Sequence, residues 1–100
     1  MRIRKQPMRR DRAEAIALAG LTFLAEDGPR LGRFLALTGM GPQDVRDKAG
    51  SDELLAAVLT HLLEDESLLL AFAGMKGFAP EEIAPAHTLL AGPHASDTFR

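Results

Sequence analysis

His61, Glu64 and Asp65 stand three and four residues apart, a spacing that on a helix brings an imidazole and carboxylates onto one face, where they can share a divalent metal. A metal-assisted hydrolase built on them would need ligands from a second element, and His87 and His94 are the residues available to supply it. The plainer expectation is a solvated polar face, with no metal, no cofactor and no catalytic residues. Glu66 is more instructive. It follows Leu62 by four residues and precedes Leu69 and Leu70 by three and four, which puts it near the apolar stripe. A carboxylate there needs a cationic partner or it takes up a proton. Arg33 or Arg46, from another helix or a second copy, are the leading partners, so a structural ion pair among Glu66, Arg33 and Arg46 is expected. General acid catalysis by Glu66 would require a further titratable group in a cleft, which the sequence does not place. With no cysteine in 100 residues, thiol nucleophiles, disulfides and zinc knuckles are excluded.

A second chemistry is phosphate binding. Leu37-Thr-Gly39-Met40-Gly41-Pro42-Gln-Asp44-Val45 lies between two short helices and resembles the hairpin of the helix-hairpin-helix family, whose glycine turn offers backbone N–H groups to a phosphate. Pro42 removes one donor, Asp44 adds a negative charge, and Val45 stands where the family tends to carry a small residue. The alternative takes Gly39 as a helix C-cap and Pro42 as a helix start. Charge gives the phosphate reading some support. Residues 1–12 hold six cations against Asp11, a net +5, whereas residues 13–100 hold six cations against thirteen acids, a net −7. Arg9, Arg10 and Arg12 together with Gly39 and Gly41 are thus the candidate nucleic-acid contacts, although no aromatic residues are interleaved for base stacking and the acidic body is itself a partner for the arm. A helix-turn-helix is excluded, because its recognition helix would begin Ser51-Asp52-Glu53 with no basic residue to enter a groove.

The elements that must position these residues are helices. No segment alternates apolar and polar residues in the manner of a strand, so the fold class is all-α: a compact bundle of four to five short helices around one central apolar helix at about 51–73. Helix one is expected from Arg9 to Asp27, with an apolar arc from Ile16 to Leu24 so wide, once Leu18, Leu21 and Ala25 are included, that it implies burial from two directions. Pro29 and Pro42 begin the second and third helices, the third having only Val45 and Ala49 as inward candidates. Ser51-Asp52-Glu53 is the clearest start signal, a hydroxyl N-cap followed by two acids. Pro80 starts the last helix, which Pro85 should bend or delay. The expected organisation is a basic arm at 1–8, a single helical domain at 9–91 and a tail at 92–100. Basic residues ahead of an apolar stretch at 15–25 have the outline of a secretory signal, but Asp11 and Glu14 interrupt it, and nothing approaches the roughly 20 apolar residues of a membrane span.

Phe23-Leu-Ala-Glu-Asp27, the run Leu31-Gly-Arg-Phe-Leu-Ala-Leu-Thr-Gly-Met-Gly-Pro42, Asp44-Val-Arg46, Leu55-Ala-Ala-Val-Leu59 and Asp65-Glu-Ser-Leu-Leu-Leu-Ala-Phe72 together resemble a family of small bacterial proteins known as domain of unknown function 3572, over residues 13–92. The resemblance implies a compact helical cytoplasmic protein of alphaproteobacterial type and carries no activity, cofactor or catalytic residue with it. The functional expectation is a non-enzymatic protein–protein interaction module with a protein partner or a homodimeric state and no identifiable small-molecule substrate. The alternative is a nucleic-acid-binding module using the arm and the Gly39-Met40-Gly41 turn.

Overall fold

The computed structural model describes residues 7–92. They form α1 (Arg10–Ala25), α2 (Gly28–Thr38), α3 (Pro42–Asp47), α4 (Asp52–Leu63), α5 (Glu66–Lys76), a 3-10 turn (Pro80–Glu82) and α6 (Ile83–Ala91), with no strand among the described residues. The fold is an all-α bundle, as the periodicity requires. The arm before Pro7 and the tail after Gly92 lie outside the described residues.

Short polar side chains set the boundaries. Asp27 accepts a hydrogen bond from the Arg30 N–H at 3.0 Å, Ser51 from Leu54 at 3.2 Å and Asp65 from Leu68 at 3.1 Å, each satisfying a donor that the first helical turn leaves over. Gly39 and Gly77 close α2 and α5 in the left-handed region, at φ of 76° and 80°, where a side chain would be strained. Pro85 delays the last helix, as expected. The chain turns first in a 3-10 conformation, and α6 then begins at Ile83, so that Pro85 falls in a first turn whose N–H groups have no intrahelical partner to lose.

The central apolar helix expected at 51–73 is two helices. The Glu64 and Asp65 N–H groups bond back to Thr60 and Leu62, and the Asp65 carboxylate then caps a new helix. Capping by a mid-sequence aspartate stops the first helix, and the break resets the helical phase of every residue after it.

The core is built on α1, α4 and α6. Ile16, Phe23, Leu24, Leu54, Val58, Leu59, Leu62 and Ile83 are fully buried, each worth roughly 1.5–3 kcal/mol when taken from water. Phe72 links α5 to this core, edge-on to Phe23 at 5.5 Å and stacked on Phe78 at 5.6 Å. Between α1 and α4 the backbone approach is close. A Cβ on Gly20 would stand 2.9 Å from Val58 Cγ1 and 3.2 Å from Leu62 Cδ1. The helix α6 is tied to α4 by Thr60 Oγ1 and His87 Nε2, 2.8 Å apart. By contrast α3 packs loosely and contains no buried residue.

Candidate functional site

Four of the five residues singled out for phosphate chemistry, Arg10, Arg12, Gly39 and Gly41, are engaged within the protein. In the Gly39–Gly41 turn, the Gly39 N–H donates to Leu35 O at 2.9 Å, the Met40 N–H to Thr38 Oγ1 at 3.4 Å and the Gly41 N–H to Asp44 Oδ2 at 2.9 Å. All three backbone donors of the hairpin thus have internal acceptors, and the turn works as a helix C-cap followed by a helix start. Arg10 pairs with Asp52 at the head of α4 and with Glu14 at 3.1 Å, and these contacts, Asp52 foremost, raise its pKa further. Arg12 grips Glu82 through two bonds of 2.8 and 3.1 Å, and its guanidinium carbon lies 5.0 Å from the centre of the Phe78 ring. Burial alone would raise the Glu82 pKa, but the Ala79 N–H and Arg12 outweigh it and hold the carboxyl below its ordinary value. Arg9 is exposed, with only Asp11 nearby at 3.8 Å.

The acidic cluster comes out differently from its sequence spacing. Because the chain breaks at Asp65, Glu66 is the exposed first residue of α5 and not a member of the apolar stripe. It makes no ion pair with Arg33 or Arg46 among the described residues, and Arg46 bonds Gln43 instead, at 3.1 Å. The helix break has moved Glu66 into water, and no counter-charge from within the protomer reaches it among the described residues. Glu66 and Arg33 do border one open hollow of about 380 Å³, with His61, Glu64 and Ser67.

His61 in turn is not on a solvated face. It is 7% exposed, packs edge-on to Phe34 at 5.3 Å, and its Nε2 is enclosed without a hydrogen-bond partner. Burial, and secondarily the charge on Arg33, push its pKa below the ordinary value, against a weaker opposite pull from Asp65 and Glu64. Its position seven residues after Leu54 and three after Val58 is the sequence signal for that burial. With Asp65 used as a cap and His87 bonded to Thr60, no group of three His, Asp or Glu residues among those described is placed to hold a metal. His94 lies outside the described residues.

A different feature stands open, between α1, α2 and α3. A groove of about 320 Å³ is walled by Leu21 and Ala25 of α1, Leu31 and Leu35 of α2, and Val45 and Ala49 at α3, with Arg46 as the only charged lining residue among those described. Sequence reasoning gave Leu21, Ala25, Val45 and Ala49 an inward role. The signals that they are a surface were the arc on α1, too wide for one neighbour, and the two inward candidates of α3, too few to seal it. The arc is covered on one side by α4 and α6, and Leu18 remains 44% exposed on the other.

No helix among the described residues is long and apolar enough to cross a membrane. No curated protein and no solved structure is detectably similar to the chain. One family model does match, over residues 10–93, which takes in every helix of the bundle. The chain belongs to the family described as protein of unknown function DUF3572.

Proposed function

We propose that this protein is a non-enzymatic protein–protein interaction module, and that it docks a short amphipathic helix of a partner protein in the groove between α1, α2 and α3. The observation that supports this reading is the chemistry of the groove, apolar on every wall and charged only at Arg46. Helix-in-groove recognition uses such a surface, with apolar anchors at i, i+3 or i+4 and i+7 supplying most of the binding energy. Among the described residues the Arg46 guanidinium has only the neutral Gln43 amide as a partner, so it favours a helix carrying a carboxylate beside its apolar face. The loose seating of α3 suits the task, since a wall with few core contacts can move to admit a side chain at little energetic expense.

The test is site-specific photo-cross-linking in the native host, with the cross-linker at Ala49 in the groove and, as a control, at Glu53 outside it. The expected result is a discrete adduct from position 49 whose cross-linked peptide is an amphipathic helix with an acidic residue, lost in Val45→Glu and weakened several-fold in Arg46→Glu. The same adducts from both positions, or adducts from position 49 that survive Val45→Glu, would refute the groove as the docking site.

A further inference from the structure

We infer that His61 is a pH-sensitive latch for α2: on taking up a proton its ring leaves its seat against Phe34 for the hollow ahead of α5, and the C-terminal half of α2 comes away from the bundle. The starting point is an enclosed nitrogen. His61 is 7% exposed, and its Nε2 is buried without a hydrogen-bond partner. For the neutral ring that is one unmade hydrogen bond. In the imidazolium both nitrogens are donors, so Nε2 would become a charged N–H with no acceptor, a far costlier state in a protein interior. Protonation therefore requires the ring to move.

The charges around the ring give the direction. From α2, Arg33 borders the hollow and repels an imidazolium, whereas Glu64 at the end of α4, Asp65 in the turn and Glu66 at the start of α5 attract one. Helix α6 presents His87, but to Thr60. The Asp65 carboxylate is held by the Leu68 N–H at 3.1 Å. Glu64 keeps a helical backbone and stands three residues after His61, where side chains on a helix meet. It has no ion pair among the described residues, so it is the acceptor for the displaced ring. The hollow, about 380 Å³ and open to water, has room for an imidazole.

Helix α2 depends on this seat. Phe34 is its only buried residue, and the His61 ring stands edge-on to it at 5.3 Å. The two ends of α2 are held unequally. At the first turn Asp27 caps the Arg30 N–H, and the Arg30 guanidinium donates to Phe23 O at 3.2 Å and lies 4.0 Å from the centre of the Phe23 ring. Past Phe34 only Leu35 is half-buried before the helix ends at Gly39. Loss of the His61 ring unseats Phe34 and leaves the last turn with little beneath it, and a short detached helix is unstable in water. Burial and Arg33 both lower the His61 pKa, so the latch is shut at neutral pH and opens below the ordinary value near 6.5. Leu35 also lines the groove, so a helix docked there should bind more weakly in acid; that consequence alone rests on the docking reading.

The test is amide hydrogen exchange of the full chain, followed by NMR between about pH 7.5 and 5, corrected for the intrinsic pH dependence of exchange and set beside the His61 ring resonances. Protection at Leu35–Thr38 should fall by up to about tenfold per pH unit, the limit for one proton, in step with the ring titration, while Leu31 and Val58–Leu62 keep theirs. Arg33→Gln should move the midpoint up and Glu64→Gln should move it down. His87→Gln should leave it in place, and His61→Leu should leave protection independent of pH. The latch is refuted if His61 titrates with no change at Leu35–Thr38, if protection is lost equally across α1, α4 and α6, or if the loss persists in His61→Leu. Arg33 and Glu64 are exposed, so their variants decide the matter even where His61→Leu does not fold: midpoints that stay put refute the latch. None of these readouts needs a partner, so their failure is distinct from a failure of the docking reading.

Discussion

Two glycine-to-alanine substitutions separate helix propensity from packing in this fold. Gly20 and Gly32 both sit inside helices, at backbone conformations that any residue adopts, so each alanine gains the same intrinsic term, about 1 kcal/mol. At Gly32 a new Cβ meets nothing within 4 Å, and the whole gain should appear as stability. At Gly20 the methyl arrives 2.9 Å from Val58 Cγ1 and 3.2 Å from Leu62 Cδ1. Leu62 can yield by turning its terminal carbons. Val58 is fully buried and, being β-branched on a helix, has essentially one rotamer, so it cannot swing aside and the α1–α4 spacing must open. Overpacking of that kind costs roughly 1–3 kcal/mol, which outweighs the propensity gain and leaves Gly20→Ala about 1 kcal/mol less stable than the parent. The two variants should therefore differ by about 2 kcal/mol, with melting temperatures roughly 8–16 °C apart for a domain of this size. Urea and thermal unfolding followed by circular dichroism measure the gap. Adding Val58→Ala to Gly20→Ala should recover part of the loss, visible as a favourable coupling in the double-mutant cycle. A Gly20→Ala protein that melts as high as Gly32→Ala would refute the claim that the α1–α4 contact is held at glycine distance. The same contact fixes α1 against the bundle, and with it the outward face that carries Leu18 and Leu21.

Two further outcomes follow from the titrating groups. Because the folded state lowers the His61 pKa, the unfolded chain binds the proton more tightly, so stability is full above the ordinary value near 6.5 and falls as the pH drops from there towards the folded-state value; His61→Leu should flatten this part of a urea-midpoint profile measured between about pH 7.5 and 5, and an unchanged slope would contradict burial of the neutral ring. Arg12→Ala should lower stability by up to about 1 kcal/mol, since the pair is partly exposed and screened by water, and the difference from the parent should shrink in about 0.5 M salt; a variant as stable as the parent in low salt would show that the two bonds to Glu82 do not contribute.

How much of the molecule could be read in advance depended on whether the signal was local. The starts at Ser51, Pro42 and Pro80 and the caps at Gly39 and Gly77 are local chemistry, and each appears in the structure close to where the residues place it. The break at Glu64-Asp65 is local as well, yet it was masked by apolar residues on both sides, where an aspartate cap competes with a helix that periodicity would continue. One missed cap had further consequences. It placed Glu66 near an apolar stripe, created a need for a counter-charge, and ran α4 and α5 together as one central helix. The groove was only partly legible, for another reason. Leu21, Leu31, Leu35 and Val45 have the composition of core residues, and whether such residues are covered depends on how closely α3 seats, a tertiary property that its six residues do not encode.

The charge split between the first twelve residues and the rest is the feature that most changes meaning when the chain is folded. Along the sequence it suggests a basic arm reaching outward. In the structure Arg10 and Arg12 turn back to acids at the head of α4 and at the entry to α6, joining the start of α1 to elements 42 and 70 residues away in the chain. Each of these guanidinium groups uses two of its five donors on carboxylates, which partly neutralises its charge before any phosphate arrives. Among the described residues, the groove at α1, α2 and α3 is apolar but for Arg46, whereas the hollow beside His61 is bordered by the charged Arg33, Glu64 and Glu66. An apolar groove is recognised through shape and apolar contact, which is the basis of the proposed docking of an amphipathic helix.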